Sequence, residues 1–164
     1  FKLKDNSIRG SWVYKDNFHL TLKFLGDIDP QYVGEIDSTL QSISDKHDPI
    51  EMALSDIGFF RGKNEIRVVW VGMKGDLDSL ILLNKTVQER METLGFKKEK
   101  RKFTPHITLG RRVVFDTRLH NINELIKDDL NYKFKLDTIS LMKSENIDNK
   151  RIYTPLSTYK LEKI

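Results

Sequence analysis

With 164 residues, 38% of them hydrophobic, the chain can build one substantial core or two small lobes that share one. Its 28 basic and 24 acidic side chains leave a formal net charge of +4, which suits an anionic ligand without demanding one. The absence of cysteine excludes disulfides and thiolate zinc sites and makes the cytoplasm the expected location, and no apolar run reaches the roughly 20 residues of a membrane-spanning helix.

In chain order, residues 8–14 and 18–25 read as strands around a turn at Asp16-Asn17. Asp29-Pro30 supplies an N-cap and a first-turn proline. Val33, Ile36, Leu40 and Ile43 follow at helical spacing up to the Asp48-Pro49 break. Residues 50–60 and 66–73 read as strands joined by the polar turn Arg61-Gly62-Lys63-Asn64. A second helix starts near Asp76 or Asp78, carries the stripe Leu80, Leu83, Val87, Met91, Leu94, and closes at Gly95. A charged loop spans 97–102, a strand 103–114, a short helix 121–129. Residues 132–143 alternate with a parity change near Asp137, and 151–160 give a last strand. Strands outnumber helices and most neighbours look antiparallel, which is an α+β pattern. No linker divides the chain, so residues 1–164 are read as a single domain. Strand–helix–strand–strand before Gly75 partly recurs after Gly95, which suggests two similar lobes within it.

One pattern occurs twice. Phe18-His19-Leu20-Thr21-Leu22 and Pro105-His106-Ile107-Thr108-Leu109 each hold a His, an apolar residue, a Thr and a Leu. In a strand the His and Thr, two apart, point the same way and the apolar neighbours point the other way. Two such strands on one cleft would supply two proton-transfer groups and two hydroxyl donors. That set can break a phosphodiester without a metal.

In these residues the chain resembles the two-histidine (2H) phosphoesterases, and within them the RNA 2′,3′-cyclic phosphodiesterases formerly called 2′-5′ RNA ligases. The likeness extends along residues 18–26 and 103–111, and further through Val68-Val69-Trp70-Val71-Gly72 and Tyr153-Thr154-Pro155-Leu156. It implies two lobes whose antiparallel sheets face a central cleft, with helices on the outer faces and a pseudo-two-fold axis. Each motif would lie on a strand of a different lobe. Family members usually open with a strand and a helix before the Trp12-Val13 strand, of which residues 1–6 would be a remnant. The implied reaction is hydrolysis of an RNA 2′,3′-cyclic phosphate to a 2′-phosphate, with no metal and no cofactor. It would be reversible as 2′-5′ ligation drawing on ring strain rather than ATP. By this likeness His106 activates water and His19 protonates the leaving 3′ oxygen. Thr21, Thr108 and Arg111 bind the phosphate, and Phe24 stacks on the terminal base. Strand parity sets Arg112 rather than Arg111 beside His106 and Thr108, unless a bulge at Gly110 re-aims Arg111. Parity also sets Phe24 opposite His19. Lys23 is expected to add positive charge to the cleft.

The implied partner is RNA with a cyclic phosphate end, or a related nucleotide, met by a monomer away from membranes. A different cyclic nucleotide or a 2′-5′ oligonucleotide as substrate, and a noncatalytic RNA-end-binding module, are the alternatives. Binding alone needs no paired acid and base, so the intact pair favours an enzyme. His47 and His120 sit in polar breaks without a Thr two residues on and read as surface residues. Lys97, Lys98, Lys100, Arg101 and Lys102 read first as a solvated loop, with an RNA-backbone role as the sharper reading. Residues 58–64 are one residue short of a phosphate-binding loop and lack the hydroxyl after Lys63.

Overall fold

The computed structural model describes residues 2–116, 122–130, 132–148 and 150–163. In order the elements are α1 (Lys2–Asp5), β1 (Ser7–Trp12), α2 (Val33–Ser44), β2 (Ile50–Arg61), β3 (Ile66–Gly75), α3 (Leu77–Thr93), β4 (His106–Phe115), α4 (Ile122–Leu125), β5 (Lys133–Leu136), β6 (Thr138–Ile147) and β7 (Lys150–Lys160). The α+β class expected from the sequence is the one observed. The chain divides into two units, each assembled from three separate stretches.

The first unit holds Phe1–Thr21, Met52–Gly75 and Thr104–Phe134. Its sheet runs β1-β4-β3-β2, with β5 last in the order, and the β1–β4, β4–β3 and β3–β2 pairs are antiparallel. Alternation along β3 gives this sheet its two faces. Val69, Val71 and Met73 are buried on one face, where Val69 and Val71 join Leu3, Ile57, Val113 and Ile126 in the core. Trp12, Phe59 and Phe115 close that core, with Phe115 edge-on to both other rings at 6.2 Å. The opposite face carries Gly58, Phe60, Trp70, His106 and Thr108, because Gly58 and Thr108 both lie opposite Trp70.

The second unit holds Leu22–Glu51, Asp76–Phe103 and Lys135–Ile164. Asp29 accepts from Gln31 N at 3.1 Å before a short turn into α2, and Asp76 accepts from Ser79 N at 3.1 Å at the start of α3, so both acidic starts act as read. Hydrogen bonds from the Ser79 side chain and then its backbone N–H hold the Asp76 carboxyl below its usual range. Gly95 adopts φ 91°, the left-handed geometry that ends α3 without a Cβ penalty. Ile36, Leu40 and Ile43 of α2 are buried, as are Leu80, Leu83, Val87 and Met91 of α3. α2 lies against α3 and against the β6–β7 hairpin, whose Ile139 and Leu141 are buried. The parity change expected near Asp137 is real: it is the break between β5 and β6, which belong to different sheets.

One expected strand does not form. Of residues 18–25 only Leu20 pairs, in a single antiparallel bridge to Ile107.

Candidate functional site

That bridge assembles the site. Residues opposite each other in an antiparallel pair face the same way, so Leu20 shares the side of Ile107. Alternation then sets His19 and Thr21 on the side of His106 and Thr108. The register brings His19 opposite Thr108 and Thr21 opposite His106. The two copies were expected on strands of different lobes. Instead both triplets belong to the first unit, the second within its sheet and the first joined to it by the bridge. The physical reason is that β1 occupies the outer edge of β4 only from Gly110 onward, with Val13 N bonding Leu109 O at 2.9 Å. The edge at Ile107 is left for the chain returning through residues 18–22.

Both histidines are oriented in the same way. His19 Nδ1 lies 2.7 Å from Asn17 O, and His106 Nδ1 lies 2.7 Å from Thr104 O. A carbonyl only accepts, so Nδ1 donates in both rings and carries its hydrogen. The lone pair of each neutral ring then sits on Nε2. A carbonyl two residues upstream fixes the tautomer in each copy, a local contact that travels with the motif.

Arg111 joins this face through a bulge. Thr108 lies opposite Trp70, but Gly110 lies opposite the next residue, Val69, so Leu109 is an extra residue on β4. The extra residue inverts the parity, and Arg111, opposite Val68, returns to the side of Thr108 and His106. Arg112 has φ 51° and is one of two residues facing Gly10 where β4 slips again against β1. Of the two arginines, the backbone turns Arg111 towards the motif face.

Two aromatic residues that the sequence reading did not select complete the face. Trp70 lies 5.7 Å from the His106 ring, Phe60 lies 5.5 Å from it at 89°, and the two aromatic rings are 5.6 Å apart. The signal was present in the alternation of Gly58 and Phe60 across the turn from Val68 and Trp70, but only the register shows which imidazole they meet.

The remaining candidates lie elsewhere. Phe24 belongs to the second unit, outside any strand, and is 73% exposed. Lys23, expected to charge the cleft, is bound within the second unit. Its Nζ donates to Gln88 Oε1 at 2.8 Å and to Lys97 O at 2.7 Å. Partial burial lowers its pKa, against the opposing pull of Glu99 and Glu92. Gln88 Oε1 also accepts from Glu99 N at 3.2 Å, so the basic loop is pinned to α3 while its side chains stay exposed. One of those side chains, Lys98, is paired with Glu92 at 2.7 Å. His47 is half-buried, and its pKa is lowered by that burial against the pull of Asp48. His120 lies outside the described residues. Among the described residues no cluster of three or more His, Cys, Asp or Glu is placed to hold a metal, and no helix is long and apolar enough to cross a membrane.

Comparison with known proteins shows the family. The model of the 2′-5′ RNA ligase superfamily matches residues 2–148. The RNA 2′,3′-cyclic phosphodiesterase of Methanocaldococcus jannaschii is 37% identical over 155 residues, covering 93% of this chain and 83% of that protein. Its namesake from Aquifex aeolicus is 31% identical over 161 residues, covering 96% and 85%. The crystal structure of E. coli LigT complexed with 3′-AMP aligns with a TM-score of 0.75 at 27% identity, covering 93% of this chain and 81% of that one. TT0787 of Thermus thermophilus shares the fold at a TM-score of 0.74 and 20% identity. The fold is that of the LigT-like phosphoesterases, and this chain is an enzyme of the 2′-5′ RNA ligase superfamily.

Proposed function

We propose that this chain opens RNA 2′,3′-cyclic phosphate ends to 2′-phosphates, with His19 and His106 as its proton-transfer pair and without a metal. The observation that carries the reading is the Leu20–Ile107 bridge, which sets two His-x-Thr triplets side by side with both Nδ1 atoms tied to backbone carbonyls. The names of the relatives from Methanocaldococcus jannaschii and Aquifex aeolicus supply the substrate class.

In this scheme His106 enters neutral, with its Nε2 lone pair available. It takes a proton from water as the water oxygen bonds to phosphorus. The P–O3′ bond breaks, and His19, entering as imidazolium, gives its Nε2 proton to O3′. The products are a 2′-phosphate and a free 3′-hydroxyl. Thr21 and Thr108 donate to the nonbridging oxygens, where negative charge grows in the transition state, and Arg111 adds a fixed positive charge on the same face. With an RNA 5′-hydroxyl in place of water the same displacement leaves a 2′-5′ link, and the strained ring supplies the driving force. Phe24, exposed and outside both cores, is the candidate platform for the terminal base, a contact that tolerates any base.

The test is incubation of an oligonucleotide ending in a 2′,3′-cyclic phosphate with the protein in EDTA. A 2′-phosphorylated product is expected. A 3′-phosphate, binding without turnover, or turnover confined to 3′,5′-cyclic nucleotides or 2′-5′ oligoadenylates would overturn the proposal.

A further inference from the structure

We infer that Phe60 and Trp70 are positioning residues for His106, a paired aromatic wall that fixes the plane of its imidazole. The inference rests on the reading of His106 as a proton-transfer group. A hydrogen bond from Nδ1 to Thr104 O sets the tautomer, but it is a single hold on a second side-chain torsion that is broad for histidine. A second constraint is needed to aim Nε2. Phe60 and Trp70 supply it from neighbouring strands. The centroids of Phe60, Trp70 and His106 lie 5.5 to 5.7 Å apart, so each ring touches the other two. Phe60 meets the imidazole at 89°, the edge-to-face arrangement aromatic quadrupoles favour.

The wall is itself built to stay still. Trp70 crosses its hydrogen-bonded neighbour Gly58, where any Cβ would overlap the indole. Only glycine permits that approach. The indole Nε1 is buried and takes no hydrogen bond among the described residues. The close packing over Gly58 restrains the ring by shape. The half-buried state of Phe60 and Trp70 leaves part of this wall on the motif face rather than inside the core.

The experiment compares the full-length chain with Phe60→Leu, Phe60→Tyr and Trp70→Phe. Two-bond proton–nitrogen spectra of 15N-histidine-labelled protein read the tautomer of each imidazole, and steady-state kinetics on a cyclic-phosphate oligonucleotide are run beside them. In Phe60→Leu, His106 is expected to lose its single Nδ1–H tautomer while His19 keeps its own. kcat should fall about tenfold or more with KM within about twofold, as expected when a reacting group is misaimed. Phe60→Tyr should restore both readouts. Trp70→Phe, which keeps a ring over Gly58, should give a smaller change of the same kind and stands in if Phe60→Leu fails to fold. An unchanged His106 tautomer in a folded Phe60→Leu, equal changes at His19 and His106, or an effect on KM alone would overturn the inference. Should the chain leave the cyclic phosphate untouched, the proposed reaction falls, and the spectra still decide whether the wall holds His106.

Discussion

The two copies of the His-x-Thr motif carry the same side chains on unlike supports. The second copy opens β4, an inner strand paired with β3 along its motif residues, and its imidazole leans on two aromatic rings. The first copy lies outside the named strands, attached by one bridge at Leu20. Its continuation is tied to α3 instead: Leu22 O accepts from Asn84 Nδ2 at 2.7 Å, and Lys23 bonds Gln88. What the copies share is local, namely the triplet and the carbonyl two residues before each His. The comparison teaches that the chemistry is written in about five residues, while the means of holding them still is written elsewhere and differently for each copy.

The sharpest way to break this comparison is to remove each imidazole in turn. His19→Ala and His106→Ala should each lower kcat by at least about a hundredfold, roughly 2.7 kcal/mol of barrier. Near-equal losses would show that unlike scaffolds serve equal partners, and a loss confined to one copy would show that the other is structural. Next in size is the support of the first copy. Asn84 is only 7% exposed, so Asn84→Ala removes the shorter of two side-chain donors to Leu22 O, the other being Gln88 Nε2 at 3.4 Å, and should cost about 0.5–1.5 kcal/mol of stability in urea unfolding. In the folded variant the His19 resonances should move more than those of His106. Thr21→Ala and Thr108→Ala should each cost less in kcat than either histidine, about tenfold, because each removes one neutral donor from a shared charge. A Thr effect as large as the His effect would contradict that division of roles.

The smallest effect separates the motif histidines from His47. Burial lowers the His47 pKa from its ordinary value of 6.5. A depressed folded pKa means the unfolded chain binds the proton first. The stability tied to neutral His47 is therefore complete above about pH 6.5 and declines as pH falls towards the lowered value. His47→Gln should flatten that decline in acid unfolding curves and leave the pH–rate profile unchanged. A shift in the rate profile would place His47 in the machinery.

Much of this was legible from residues alone. Asp29-Pro30, Asp76 and Gly95 mark helix ends because their roles are local, a side-chain cap or a left-handed φ. Residues 66–73 mark a strand because they are an almost unbroken apolar run, of which Val68, Val69, Val71 and Met73 are buried. Residues 18–25 alternate and yet do not form a strand, since alternation records which faces are apolar and not which edge is available. Beside β4 the edge that β1 leaves open runs only from His106 to Thr108. Arg111 was legible only as a possibility, because a bulge depends on the partner strand's register. Phe60 and Trp70 were not legible as neighbours of His106, since that contact crosses three strands. The charge of Lys23 is visible in the sequence, and its acceptors, a glutamine on α3 and a loop carbonyl, are not.

The central claim is that the two imidazoles act as one acid–base pair without a metal. It is tested most directly by a double-mutant cycle on the cyclic-phosphate oligonucleotide in EDTA, with wild type, His19→Ala, His106→Ala and the double variant. Wild-type turnover should persist in EDTA, and the double variant should be far less impaired than the product of the single losses, because removing either member already disables the pair. Turnover that vanishes in EDTA and returns with a divalent ion, or single losses that simply multiply, would contradict the account.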